Sequence, residues 1–107
     1  MEFLNKVIIV TGASSGMGRE ISLQFAKEGA KVIAVARREE RLNEIRDIAK
    51  NECYKGEIVP FVGDLSKQEI NEKIIEFAFE KFSTLDILVN NAGVLDNFAP
   101  VGEVTDE

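Results

Sequence analysis

Four short runs in this chain are apolar at every position: Val7 to Val10, Val32 to Ala36, Ile58 to Val62, and Ile87 to Val89. A strand with one face in water alternates apolar and polar residues, whereas a strand covered on both faces does not have to. Between these runs lie three segments whose apolar residues recur every three or four positions, the period of a helix. Buried strand alternating with helix is the pattern of βαβ units. It predicts an α/β fold in which a parallel sheet carries helices on both faces. No repeat, low-complexity stretch or linker interrupts the pattern, so residues 1–107 are expected to form one unit.

The first helical segment sets Met17, Ile21 and Phe25 four residues apart on one face, and should stop near Gly29. The second starts near Arg38 and turns Leu42, Ile45, Ile48 and Ala49 toward the sheet. The third opens with Ser66-Lys67-Gln68-Glu69, an S-x-x-E capping box. It carries Ile70, Ile74, Phe77 and Ala78 as one stripe and Ile75, Phe79 and Phe82 as a second, which predicts cover on more than one side. Phenylalanines at this spacing read as core packing.

Composition narrows the partners. The chain has 107 residues, 45% hydrophobic and 30% charged, which suits one soluble domain with a core of its own. Its net charge of −6 argues against nucleic acid or an anionic membrane surface, both of which want a basic face. Cys53 is the one cysteine and there is no histidine, so neither an internal disulfide nor a metal cluster is expected. A lone thiol in the polar stretch Lys50 to Gly56 reads as incidental and fits a reducing cytoplasm. Met1 to Lys6 is too short and polar for a signal peptide, and no apolar run approaches membrane-spanning length.

The chemistry begins where the first apolar run meets Thr11-Gly12-Ala13-Ser14-Ser15-Gly16-Met17-Gly18 and a helix follows at once. A phosphate needs close backbone, exposed N–H groups and the positive end of a helix dipole. Glycines allow the approach, and the strand-to-helix junction supplies the rest. The spacing is G-x-x-x-G-x-G rather than the usual Rossmann G-x-G-x-x-G, and no Gly-Lys-Ser/Thr follows to make a P-loop.

Three motifs together resemble the short-chain dehydrogenase/reductase family. Thr11 to Gly18 matches its T-G-x-x-x-G-x-G cofactor turn, with Met17 where isoleucine is commoner. Asn90-Asn91-Ala92-Gly93 matches its N-N-A-G motif after the fourth strand. Asp64-Leu65 matches the acidic-apolar pair that members place around the adenine. The resemblance covers essentially the whole chain but only the first half of a member. It implies a Rossmann-type doubly wound sheet, here its first four strands and three helices. Right-handed crossovers give strand order 3-2-1-4, with Gly12 to Gly18 and Asn90 to Gly93 flanking one crevice at the switch point.

The resemblance implies that Gly12, Ser14, Ser15, Gly16, Met17 and Gly18 hold the dinucleotide from one side. Asp64, Leu65, Asn91, Ala92 and Gly93 complete the set. Backbone N–H groups near Met17 would face the pyrophosphate, and Asp64 could accept a hydrogen bond from the adenine amino group. Asn90 is implied to bond main chain and tie neighbouring strands, a structural role.

The end of the second strand chooses between the nicotinamide cofactors. An NAD site wants an acid there for the ribose hydroxyls. This chain has Ala36 followed by Arg37 and Arg38. A guanidinium can bind a 2′-phosphate with two parallel hydrogen bonds where an acid would repel it. NADP is therefore the preferred cofactor, with NAD possible and Arg37 as the main contact. The alternative is that both arginines are merely the polar start of the second helix.

Hydride transfer to a carbonyl also needs a proton donor, which in this family is the tyrosine of a Y-x-x-x-K pattern. The one tyrosine, Tyr54, has its lysine at the next position and precedes the third strand, so no residue here is assigned to catalysis. The chain reads as the cofactor-binding half of a longer enzyme. That enzyme would be 3-oxoacyl-reductase-like or polyol- or sugar-dehydrogenase-like, and homo-oligomeric as the family commonly is. The competing readings are a non-catalytic dinucleotide-binding module and one half of a split enzyme.

Overall fold

A computed structural model describes residues 3–14, 16–64 and 67–90. Strands and helices alternate: β1 (Val7–Thr11), α1 (Gly16–Lys27), β2 (Lys31–Ala36), α2 (Glu39–Asn51), β3 (Glu57–Val62), α3 (Gln68–Phe82) and β4 (Ile87–Val89). All strand pairs are parallel and the sheet order is β3-β2-β1-β4, as the right-handed crossover rule requires.

In β1 and β2 the uniformly apolar runs are explained by two cores, one on each face of the sheet, whereas the apolar runs of β3 and β4 are only partly buried, with Val62 49% and Leu88 53% exposed. Ile8 and Val10 of β1 join Val32 and Ala34 of β2 against Ala26 of α1 and Leu42, Ile45 and Ala49 of α2. Val7 and Ile9, with Ile33 and Val35, point the other way onto Ile74 and Ala78 of α3. Every residue of β1 is buried, because the strand is central and covered on both faces. Each isoleucine removed from water in this way is worth about 1.5–3 kcal/mol.

Three local expectations are corrected. In α1 the buried row is Gly18, Ser22 and Ala26, one position beyond Met17-Ile21-Phe25. Small residues let the helix axis approach the sheet, so Ile21 and Phe25 pack only at its margin while Met17 is 68% exposed. In α3 the N-cap is Lys67, in extended backbone and with no side-chain cap. Lys67 N–H first closes a turn onto the Asp64 carbonyl (3.0 Å), which moves the helix start past the expected box; Ser66 lies outside the described residues. The second stripe of α3 also divides. Phe82 packs into the core beneath the helix, whereas Ile75 and Phe79 are 40% and 50% exposed, so no described residue supplies the expected second cover.

Helix ends follow backbone chemistry. After α1, Gly29 takes φ +100° and Ala30 N–H returns to the Phe25 carbonyl at 3.0 Å, the left-handed cap anticipated there. After α2 the same conformation falls to Cys53 (φ +58°), with Tyr54 N–H bonded to the Ala49 carbonyl. The thiol read as incidental therefore sits at a position that favours glycine. Gly56, immediately before β3, passes so close to the end of α1 and the start of β2 that a Cβ would run into the carbonyl oxygens of Ala30 and Ala26.

The start of β4 is pinned by the Asp86 side chain. The Asp86 carboxylate accepts a hydrogen bond from Val7 N–H at 2.8 Å, while Asp86 N–H donates to the Val7 carbonyl at 2.9 Å. This reciprocal pair sets the register of β4 on β1.

Candidate functional site

The carboxyl ends of the four strands line up as Val62, Ala36, Thr11 and Val89. At about 4.8 Å per strand this edge is roughly 14 Å wide, and every described residue that the sequence assigned to a ligand lies along it or in the turn above it.

The turn after β1 is held from three directions. The Thr11 hydroxyl, buried, lies 3.0 Å from Asn90 Oδ1 and 3.3 Å from the Val89 carbonyl oxygen, stitching the end of β1 to the end of β4. Ala13 N–H donates to the Val35 carbonyl at 3.0 Å, fixing the turn onto β2. Inside α1, the buried Ser22 hydroxyl donates to the Gly18 carbonyl at 2.8 Å. Gly12 (φ +65°) and Gly16 (φ +51°) both adopt left-handed backbone, which other residues rarely take without strain.

Gly16 opens the helix, and a Cβ built on it would meet nothing within 4 Å. Here glycine leaves space open rather than avoiding a clash with the protein. The first turn of α1 carries no acidic side chain, so its N–H groups and dipole remain available to an anion. An open cradle at a helix N-terminus with no acid in its first turn fits the phosphates of a dinucleotide. Ser14 is half-buried beside it and Met17 projects from it.

Next along the edge, β2 ends on buried Ala36 with no acid at its tip. Arg37 and Arg38 follow, both exposed and without an ion pair among the described residues. Arg38 serves as the extended N-cap residue of α2. Gly63 N–H continues the ladder onto the Ala36 carbonyl at 2.9 Å, which sets Asp64, half-buried, just past the end of β3. Ser15, Leu65, Asn91, Ala92 and Gly93 lie outside the described residues.

Asn90 joins the end of β4 to β1, and its described partner is the Thr11 side chain where the resemblance implied main chain. Ser22 and Asp86 are positioning residues that sequence reasoning passed over, and Thr11 was read only as part of the glycine turn, with no role of its own. Thr11 had a signal, being the one polar residue at the end of an otherwise apolar strand. Tyr54 lies at the amino end of β3, across the sheet from the glycine turn, and packs partly into the first core. Among the described residues there is no cluster of three or more metal-ligating side chains, and no helix is long and apolar enough to cross a membrane.

Comparison with known proteins agrees with this geometry. The family model for short chain dehydrogenase matches residues 6–107. An uncharacterised oxidoreductase of Listeria monocytogenes is 41% identical over 97 residues, covering 91% of this chain and 38% of that protein. A metagenomic short-chain oxidoreductase solved in complex with NADP superposes with a TM-score of 0.81 at 31% identity, over 88% of this chain and 42% of the other. The L-sorbose reductase of Gluconobacter frateurii, solved with NADPH and L-sorbose, gives 0.78 at 37% identity, over 91% of this chain and 36% of the reductase. The chain thus spans well under half the length of the relatives it matches. It belongs to the short-chain dehydrogenase family.

Proposed function

We propose that this chain is the cofactor-binding half of an NADP(H)-dependent oxidoreductase that moves a hydride between the nicotinamide and a carbonyl or alcohol. The observation that carries the reading is the strand edge itself. An open glycine cradle at the start of α1 stands beside a β2 tip that offers two exposed arginines and no acid. When bound, the cofactor supplies the hydride. The residues here bind and orient it: first-turn N–H groups of α1 hold the pyrophosphate, Arg37 with Arg38 beside it takes the 2′-phosphate, and Asp64 receives the adenine amino group. Ser14, Ser15 and Leu65 line the same pocket, and Asn91 to Gly93 border its nicotinamide end.

Tyr54 stands at the opposite end of the sheet, so these residues hold the cofactor and the proton donor comes from elsewhere in a whole enzyme. Alone, the chain binds without turning substrate over. The solved relative holding L-sorbose supports a polyol, sugar or keto-group substrate for the whole enzyme. Cytoplasmic location and homo-oligomeric assembly complete the proposal.

The test is cofactor preference. Charge-assisted hydrogen bonds from Arg37 to a 2′-phosphate are worth about 1.5–3 kcal/mol, roughly ten- to a hundredfold in affinity. Calorimetric titration of Arg37→Asp should therefore show NADP+ weakened by that factor and NAD+ unchanged or improved. An undiminished NADP+ affinity in this variant removes the assignment.

A further inference from the structure

Met17 has no packing reason for its position. Among the described residues it is the most exposed large apolar side chain, at 68%, and stands in the first turn of α1 beside the open cradle at Gly16. A thioether there is both reachable by solvent and next to the N–H groups that hold the pyrophosphate. The other exposed large apolar residues among those described, Leu4, Val62, Ile75, Phe79 and Leu88, contain no sulfur. The exposed thiol, Cys53, lies beyond the far end of α2.

We infer that Met17 is a peroxide-sensitive modification site that weakens dinucleotide binding when oxidised, an inference that rests on the cofactor reading above. The step is a two-electron oxygen transfer. The sulfur lone pair attacks hydrogen peroxide, the O–O bond breaks, a sulfur–oxygen bond forms, and the peroxide leaves as water. Sulfur is oxidised and peroxide reduced, with no other reactant required.

The product changes the site in two ways. A flexible apolar side chain becomes polar and branched. Its new oxygen is a strong acceptor at the positive end of a helix, where it competes with the phosphate oxygens for the same donors. Arg37 and Arg38 serve the 2′-phosphate rather than the pyrophosphate, and the chain as a whole carries net charge −6, so loss of those donors is felt directly. The modification is reversible, because sulfoxide reductases return the thioether.

The experiment uses the 107-residue chain carrying Cys53→Ser, which removes the competing thiol, titrated with NADP+ before and after mild peroxide treatment. Peptide mass mapping confirms that the added oxygen is on Met17. The sulfoxide form should bind on the order of tenfold more weakly, and methionine sulfoxide reductase should restore binding. Met17→Ile, whatever its own affinity, should give the same dissociation constant before and after peroxide. Saturating NADP+ should slow oxidation of Met17 in the parent chain. Equal binding by the sulfoxide and thioether forms overturns the inference and leaves the cofactor reading intact, as does equal peroxide damage in Met17→Ile. Failure of the untreated chain to bind NADP+ overturns both.

Discussion

Two glycines in this chain serve opposite purposes, and replacing each with alanine should separate folding from binding. At Gly56 an added Cβ meets backbone oxygens of Ala30 and Ala26, which cannot rotate away. Overpacking of this kind costs about 1–3 kcal/mol. Relief by backbone shift weakens the hydrogen bonds from Gly56 N–H to the Ala26 carbonyl (2.9 Å) and from Glu57 N–H to the Ala30 carbonyl (3.1 Å). At about 0.5–1.5 kcal/mol for each bond, the total comes to about 2–6 kcal/mol. Against a net stability of about 5–15 kcal/mol, that is a severe loss. At Gly16 the added Cβ meets no atom within 4 Å. Only the left-handed backbone resists it, at about 1–2 kcal/mol. Yet that Cβ occupies the space where a phosphate oxygen would approach, so NADP+ binding should fall tenfold or more, roughly the worth of one hydrogen bond to a charged group. Urea denaturation followed by circular dichroism reads the first quantity and calorimetry the second. The expected result is a large fall in midpoint for Gly56→Ala, and a small one with lost binding for Gly16→Ala. If Gly16→Ala binds NADP+ normally, or destabilises as much as Gly56→Ala, the turn is built for the fold and the phosphate argument fails.

Cys53→Gly removes a strained left-handed residue and should stabilise the chain by about 1 kcal/mol, raising the melting temperature by roughly 4–8 °C; a lower melting temperature contradicts the cap assignment. Asp86→Ala removes the acceptor of Val7 N–H and should cost about 1 kcal/mol, with hydrogen exchange accelerated first at Val7 and in β4. Phe79→Lys places charge on an exposed face of α3 and should leave the urea midpoint unchanged; a large loss of stability would show that Phe79 is core after all.

Sheet order and strand positions were legible because they rest on strong, redundant signals. The runs Val7 to Val10 and Val32 to Ala36 are apolar throughout because each faces two cores, and strand order then follows from crossover handedness. What misled was finer than a period can resolve. Met17-Ile21-Phe25 and Gly18-Ser22-Ala26 are adjacent rows on one helix, and the row nearest the sheet is the one whose small size permits contact. Hydropathy favours the wrong row. The third helix start was displaced by a turn onto the Asp64 carbonyl, a backbone event that no side chain announces. Asp86 was invisible for a related reason: its partner is a main-chain N–H seventy-nine positions away.

That separation has a kinetic meaning. β1 gains β2 through a short local crossover, and β3 follows in the same direction, so three strands can assemble from neighbouring sequence. β4 must return across the first strand to find its place, closing the longest loop in the sheet. One side of β1 therefore stays unpaired until the final strand arrives and Asp86 captures Val7. The wall of the crevice formed by Thr11 and Asn90 is the last to be built. On a ribosome, where residues emerge in order, the glycine cradle would precede that wall by most of the chain's synthesis. An early ligand could meet half a binding site, but only a chain extended past Asn90 can close it.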